Sequence, residues 1–179
     1  DRFNAMLDQI DQLMADIRRQ EETTRQYQLQ ALSSQINPHF LYNTLDTIIW
    51  MAEFQDSQRV VQVTKSLATY FRLALNQGKD LICLSDEINH VRQYLFIQKQ
   101  RYGDKLEYEI EENPAFDNLV LPKLVLQPLV ENALYHGIKE KEGQGHIKLS
   151  VQKQDSGLVI YIEDDGVGFQ DVADSSQSQ

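Results

Sequence analysis

Up to Gln77 the apolar side chains of this chain keep the three-and-four spacing of helices. Beyond Gly78 they fall into short extended runs between helices. That change constrains the fold most, because it divides the chain into a helical part and a mixed part. In the first, Phe3, Met6, Ile10, Leu13 and Ile17 form a heptad seam that fades through Arg18–Gln26 and recovers at Tyr27, Ala31 and Leu32. A helix with such a stripe needs a partner. The partner is either a second copy, giving a parallel two-helix stalk, or an antiparallel contact within one chain. The helix is expected to continue through His39 to about Glu53, with Pro38 removing one backbone bond and bending it. Asp56 or Ser57 can cap a second helix carrying Val60, Val63, Leu67, Tyr70, Phe71 and Ala74, which Gly78 ends. Two such helices make a hairpin, and two hairpins a four-helix bundle.

Past Gly78, Leu81–Leu84 reads as a short extended piece, and Ser85, Asp86 and Glu87 open a third helix reaching Tyr102. Leu106–Ile110 alternates as a strand that Pro114 breaks. Pro122 is expected to start a fourth helix ending at His136, stopped by Gly137. His146–Gln152 and Leu158–Glu163 read as strands joined through Asp155-Ser156-Gly157. Helices alternating with strands across tight turns predict helices layered on one face of a mixed sheet. The polar stretch Gln170–Gln179 is expected to be mobile.

Charge follows the same division. Residues 1–103 hold 11 Lys and Arg against 12 Asp and Glu; residues 104–179 hold 6 against 15. An acidic second half argues against nucleic acid or an anionic membrane surface as direct partner, without excluding a nucleotide accompanied by Mg²⁺. Cys83 is the one cysteine, so no internal disulfide and no thiolate metal site can form, and a reducing cytosol fits. No apolar run reaches the roughly 18–20 residues of a membrane span, and no secretory signal is visible. The sequence opens inside a helical pattern, and we expect a longer protein around it.

Three motifs carry chemistry. Gln35–Leu45, QINPHFLYNTL, sets His39 just past a proline on a helix. Leu126–Ile138, LQPLVENALYHGI, sets Asn132 and His136 four apart on one helix face, with Glu131 and Tyr135 on the adjacent one. Leu126, Leu129, Val130, Ala133 and Leu134 supply the stripe that fixes this helix on its sheet. Mg²⁺ prefers oxygen ligands and keeps several waters, so the amide of Asn132 suits it. His136 also fits a plainer role, a helix-terminal histidine on the last carbonyls. Glu163–Phe169, EDDGVGF, follows a strand and begins 31 residues after Asn132. There Asp164 can accept a hydrogen bond from the exocyclic amine of adenine, and Gly166 and Gly168 admit backbone where a side chain would collide. Each motif alone has a plainer reading; their order points to ATP-dependent phosphorylation of a histidine.

On these residues the chain resembles the sensor histidine kinases of two-component systems, in the LytS/YesM-like branch whose phosphoacceptor motif contains Asn-Pro-His-Phe-Leu-Tyr-Asn. The likeness runs from about Leu29 to Phe169. It implies an α+β protein: a helical relay linker over 1–28, a dimerisation and phosphoacceptor hairpin over 29–78, and an ATPase domain of the kinase/gyrase/heat-shock type over 79–179. It implies His39 as phosphoacceptor, Asn132 as Mg²⁺ ligand, Asp164 as adenine reader and Gly166 and Gly168 as shaping the pocket. Glu131 and His136 are further candidates for holding the nucleotide. ATP and Mg²⁺ are the implied cofactors, with a homodimer, a response regulator and an upstream membrane anchor on a cytoplasmic kinase portion.

Two departures stand out. Phe40 occupies the place after the histidine where many relatives carry an acid, and Asn43, one turn on, is the candidate orienting group. The family's lid and second glycine segment would lie past Gln179, so an incomplete ATP pocket is expected. Arg101 either contacts phosphate or forms a surface ion pair, and Lys139 and Lys141 read as solvated loop lysines. Other readings stay open: an ATPase clamp of the same superfamily, which leaves QINPHFLYNTL unexplained, or a non-catalytic dimerisation module.

Overall fold

The computed structural model describes residues 37–75, 80–154 and 157–168. The seam and relay linker expected over 1–28, the helix end at Gly78, the turn at Asp155 and Ser156, and the polar tail lie outside these residues. The chain divides into two compact units, residues 1–41 and 42–179.

Of the first unit, residues 37–41 are described. Helix α1 (Pro38–Glu53) begins there and runs on into the second unit. Asn37 caps it: its side chain accepts from the Phe40 amide at 3.2 Å and its carbonyl from the Leu41 amide at 3.1 Å. Pro38 therefore stands in the first helical turn, where its missing N–H costs nothing, rather than bending a helix from within.

In the second unit, Asp56 caps helix α2 (Ser57–Ala74) through the Arg59 amide at 3.1 Å, as expected. The hairpin reading sets α2 along α1. The buried side chains of α2, Val63, Leu67, Tyr70 and Ala74, belong instead to a face packed on α3 (Leu84–Tyr102). Strand β1 (Leu81–Cys83) leads into α3 and pairs antiparallel with β3 (Val120–Pro122). Pro122 is thus the end of a strand, not the start of a helix. Strand β2 (Leu106–Glu111) pairs parallel with β4 (Gly145–Gln154), which pairs antiparallel with β5 (Gly157–Asp164), in the order β2-β4-β5.

This mixed sheet is one-sided. Ile147, Leu149 and Val151 of β4 are buried, and Gly145 on the same face lies so close to the Ile138 side chain that a Cβ would clash. Leu84, Ile88, Val91, Tyr94 and Leu95 of α3 complete the core with Leu106, Val130 and Leu134. Ion pairs Arg92–Glu112 and Lys99–Glu107 tie α3 to β2 and its end.

Candidate nucleotide site

The helix of the second motif is shorter and later than its sequence suggests. Helix α4 covers Gln127–Asn132, and Ala133–Ile138 continues as a π-helical turn, closed by the Lys139 amide on the Leu134 carbonyl at 2.8 Å. Gly137 lies inside this turn instead of stopping a helix. The widening after Asn132 also moves His136 from the place α-helical spacing gives it, so the shared face of Asn132 and His136 does not survive intact. Both are exposed. Leu126, Val130, Ala133 and Leu134 are buried as expected, but Leu129 is 52% exposed and leaves the stripe.

The start of α4 is held by a residue whose part the sequence reading missed. Glu87 was expected to open α3; it is fully buried, and its carboxylate accepts from the amides of Leu124 and Leu126, both at 2.9 Å. The turn it grips contains Leu124 at φ 59°, a backbone conformation that branched side chains avoid. Cys83, not Ser85, is the N-cap of α3, and it makes no side-chain capping bond. The signal was present: Leu84, Glu87, Val91, Tyr94 and Gln98 follow one helical stripe, so an acid sits among core positions.

On the face of α4, Gln127 donates from Nε2 to the Glu131 carboxylate at 2.7 Å and to the Tyr70 hydroxyl of α2 at 2.6 Å. Tyr70 is buried and stacks on His90, with ring centroids 4.4 Å apart and planes at 18°. Burial pushes the Tyr70 phenol well above its ordinary range, so it stays neutral.

The third motif docks on the π turn. A Cβ on Gly166 would fall 2.2 Å from the Gly137 Cα, and one on Gly137 would fall 2.4 Å from Asp164 Oδ1. The two glycines let two backbones touch, and Val167 N–H bonds the Gly137 carbonyl at 3.4 Å. Gly166 is therefore required by the protein's own backbone; the expectation gave that place to a ligand. Gly168 is required by its φ of 70°, with open space where a Cβ would stand. Asp164 accepts from the Gly166 amide at 3.0 Å through Oδ1. Asp165 anchors the turn: it accepts from the His146 amide at 2.7 Å and pairs with Lys141 at 2.9 Å. Those two contacts hold its carboxyl below the usual carboxylate range.

Asn132, Gly137, Asp164, Gly166 and Gly168 thus come from α4, the π turn and the end of β5, which a glycine-to-glycine contact brings together. The donors fit a magnesium nucleotide: an exposed amide, an exposed carboxylate at a strand end and a glycine-lined turn. Among the described residues no group of three or more His, Cys, Asp or Glu could hold a metal ion by itself. A Mg²⁺ at Asn132 would complete its octahedron with phosphate oxygens and water.

His39 is exposed on the first turn of α1. Asn43 is half-buried, its Nδ2 lacks a hydrogen-bond partner among the described residues, and its carbonyl accepts from Thr47 Oγ1 at 2.8 Å. It lines a cleft of about 510 Å³ with Asp46, Trp50, Phe54, Arg59 and Arg101.

Comparison with known proteins agrees with the motifs. The family described as histidine kinase matches residues 27–106. The sensor histidine kinase YesM of Bacillus subtilis is 31% identical over 167 residues, 93% of this chain and 29% of that protein. The sensor histidine kinase BtsS of Escherichia coli K12 is 34% identical over 164 residues, 92% of this chain and 29% of that protein. The sensor protein LytS of Streptococcus agalactiae is 35% identical over 147 residues, 80% of this chain and 25% of that protein. The chain spans under a third of the length of these relatives. It belongs to the sensor histidine kinases, in their LytS/YesM-like branch.

Proposed function

We propose that the protein carrying this chain uses Mg-ATP to phosphorylate itself on His39 and passes the phosphoryl group to an aspartate of a response regulator. The observation that carries this reading is the Gly137–Gly166 contact, which sets Asp164 beside the helix that bears Asn132. In this reading Asp164 accepts from the adenine amine, and Asn132 meets the magnesium that neutralises the phosphates. His136 borders the phosphate end. Glu131 is drawn toward Gln127, and its part is in holding the helix.

The imidazole of His39 needs no strong base, since a neutral ring nitrogen is nucleophilic near pH 7. Its attack on the γ-phosphorus forms a P–N bond and breaks the bond to the β–γ bridging oxygen, releasing ADP. The ring proton goes to water. The phosphoramidate then transfers to a carboxylate. Asn43 is proposed to orient the ring, and residues 29–78 to be the dimerisation and phosphoacceptor part, with 79–179 the nucleotide part. Exposed Tyr42, Leu45, Ile49 and Trp50 on α1 supply an apolar surface for a second copy. Among the described residues no helix is long and apolar enough to cross a membrane; the anchor is proposed to lie upstream and the kinase part to face the cytoplasm.

Incubation of the intact protein with γ-labelled Mg-ATP tests the proposal. The expected label is labile in acid, stable in base and lost in His39→Gln. ATP turnover without label would favour a conformational clamp instead, and neither would leave a dimerisation module.

A further inference from the structure

Helix α4 is six residues long and gives way at once to a π turn. A segment this short has little rigidity of its own, and π turns are poorly reinforced. Its direction must be set from outside. Glu87 of α3 grips its leading turn at the Leu124 and Leu126 amides, which leaves rotation about the helix axis to be fixed elsewhere.

The contact that fixes it comes from α2. The Glu131 carboxylate can only accept, so the Gln127 carboxamide must turn its nitrogen toward Glu131. The same nitrogen lies 2.6 Å from the Tyr70 hydroxyl and 2.7 Å from Glu131 Oε1, one hydrogen for each. Tyr70 is itself immobilised, buried between the His90 ring and the edge of Phe71, whose centroid is 5.4 Å away. A displacement of α2 therefore pulls on Gln127, and through it on Glu131 and its neighbour Asn132.

Resting on the nucleotide reading above, we infer that Gln127 is a positioning residue: its carboxamide ties Tyr70 of α2 to Glu131 and so sets the angle at which Asn132 meets the magnesium of a bound nucleotide. Asp164, on β5, lies outside this linkage. The device acts on the metal-dependent part of binding and spares adenine recognition.

Binding of a fluorescent ATP analogue with Mg²⁺, and of ADP in EDTA, to the intact protein tests this. The proteins compared are wild type, Tyr70→Phe, Gln127→Met and the double variant. Tyr70→Phe keeps the ring and its stack on His90. Each single variant is expected to raise the Mg-nucleotide Kd about fivefold, the equivalent of one hydrogen bond. The double variant should be no weaker than the weaker single. The Kd for metal-free ADP should stay within about twofold, a split that general loosening of the fold does not produce. Additive singles, unchanged Mg-nucleotide binding, or an equal fall in metal-free binding overturns the inference and leaves the nucleotide site standing. A wild type that binds no nucleotide overturns both.

Discussion

His90 should make the fold lose stability between pH 6.5 and 4, and removing its imidazole should restore that loss. The ring is 1% exposed in the middle of α3, against Tyr70, and neither nitrogen has a hydrogen-bond partner among the described residues. Burial lowers its pKa from 6.5 to about 4. The sign follows from which state takes the proton. Above pH 6.5 both states are neutral and the group is silent. As the pH falls, the unfolded chain is protonated first and is favoured, until the folded state also accepts a proton near pH 4. The full loss is about 3 kcal/mol, and about 2.5 kcal/mol of it is reached at pH 4.5. His90→Phe keeps an aromatic face for Tyr70 and removes both unpaired nitrogens. Urea unfolding at pH 7.5 and 4.5 checks it. The variant should be at least as stable as wild type at pH 7.5 and gain a further 2.5 kcal/mol or so at pH 4.5. Carboxylates elsewhere titrate alike in both proteins and cancel. Equal losses in the two proteins across that interval would refute the reasoning.

Other outcomes follow from the site. Gly166→Ala drives a Cβ into Gly137 and should weaken nucleotide binding at least tenfold, whereas Gly168→Ala, with open space around it, should cost about 1 kcal/mol of stability; titration with a nucleotide and urea melts separate them. Glu87→Gln leaves one acceptor oxygen for the two amides of Leu124 and Leu126 and should lower stability by about 2–3 kcal/mol in urea melts. Lys141→Ala removes an ion pair between partly exposed groups and should cost under about 1 kcal/mol, while Asp165→Ala, which also strands the His146 amide, should cost more. Ile49→Asp on the exposed face of α1 should shift the intact protein from dimer toward monomer in sedimentation equilibrium.

Periodicity made the helices of residues 38–74 and 84–102 legible, and alternation the strands β2, β4 and β5, because both report side chains that face a core. Asp56 was legible as a cap for the same local reason. What escaped depended on partners distant in sequence. Pro38 looks the same inside a helix as at its first turn until Asn37 is seen to cap. Val120–Pro122 is too short to show a period and is a strand because β1 lies beside it. Glu87 resembles any acid in a first turn; only the fold places Leu124 and Leu126 over it, 37 and 39 residues on. The glycine of EDDGVGF was read as serving a ligand because its true neighbour, Gly137, lies 29 positions earlier.

The π turn carries a consequence for how this site tolerates insertion and deletion. Winding each bond one residue wider takes up an extra residue between Asn132 and Lys139 that an ordinary helix has no room for. Excising one residue there would let the segment rewind tightly and swing everything after it by about 100°. Gly137 would turn away from Gly166, and the seam joining the two halves of the cradle would part without any of the signature side chains having been altered.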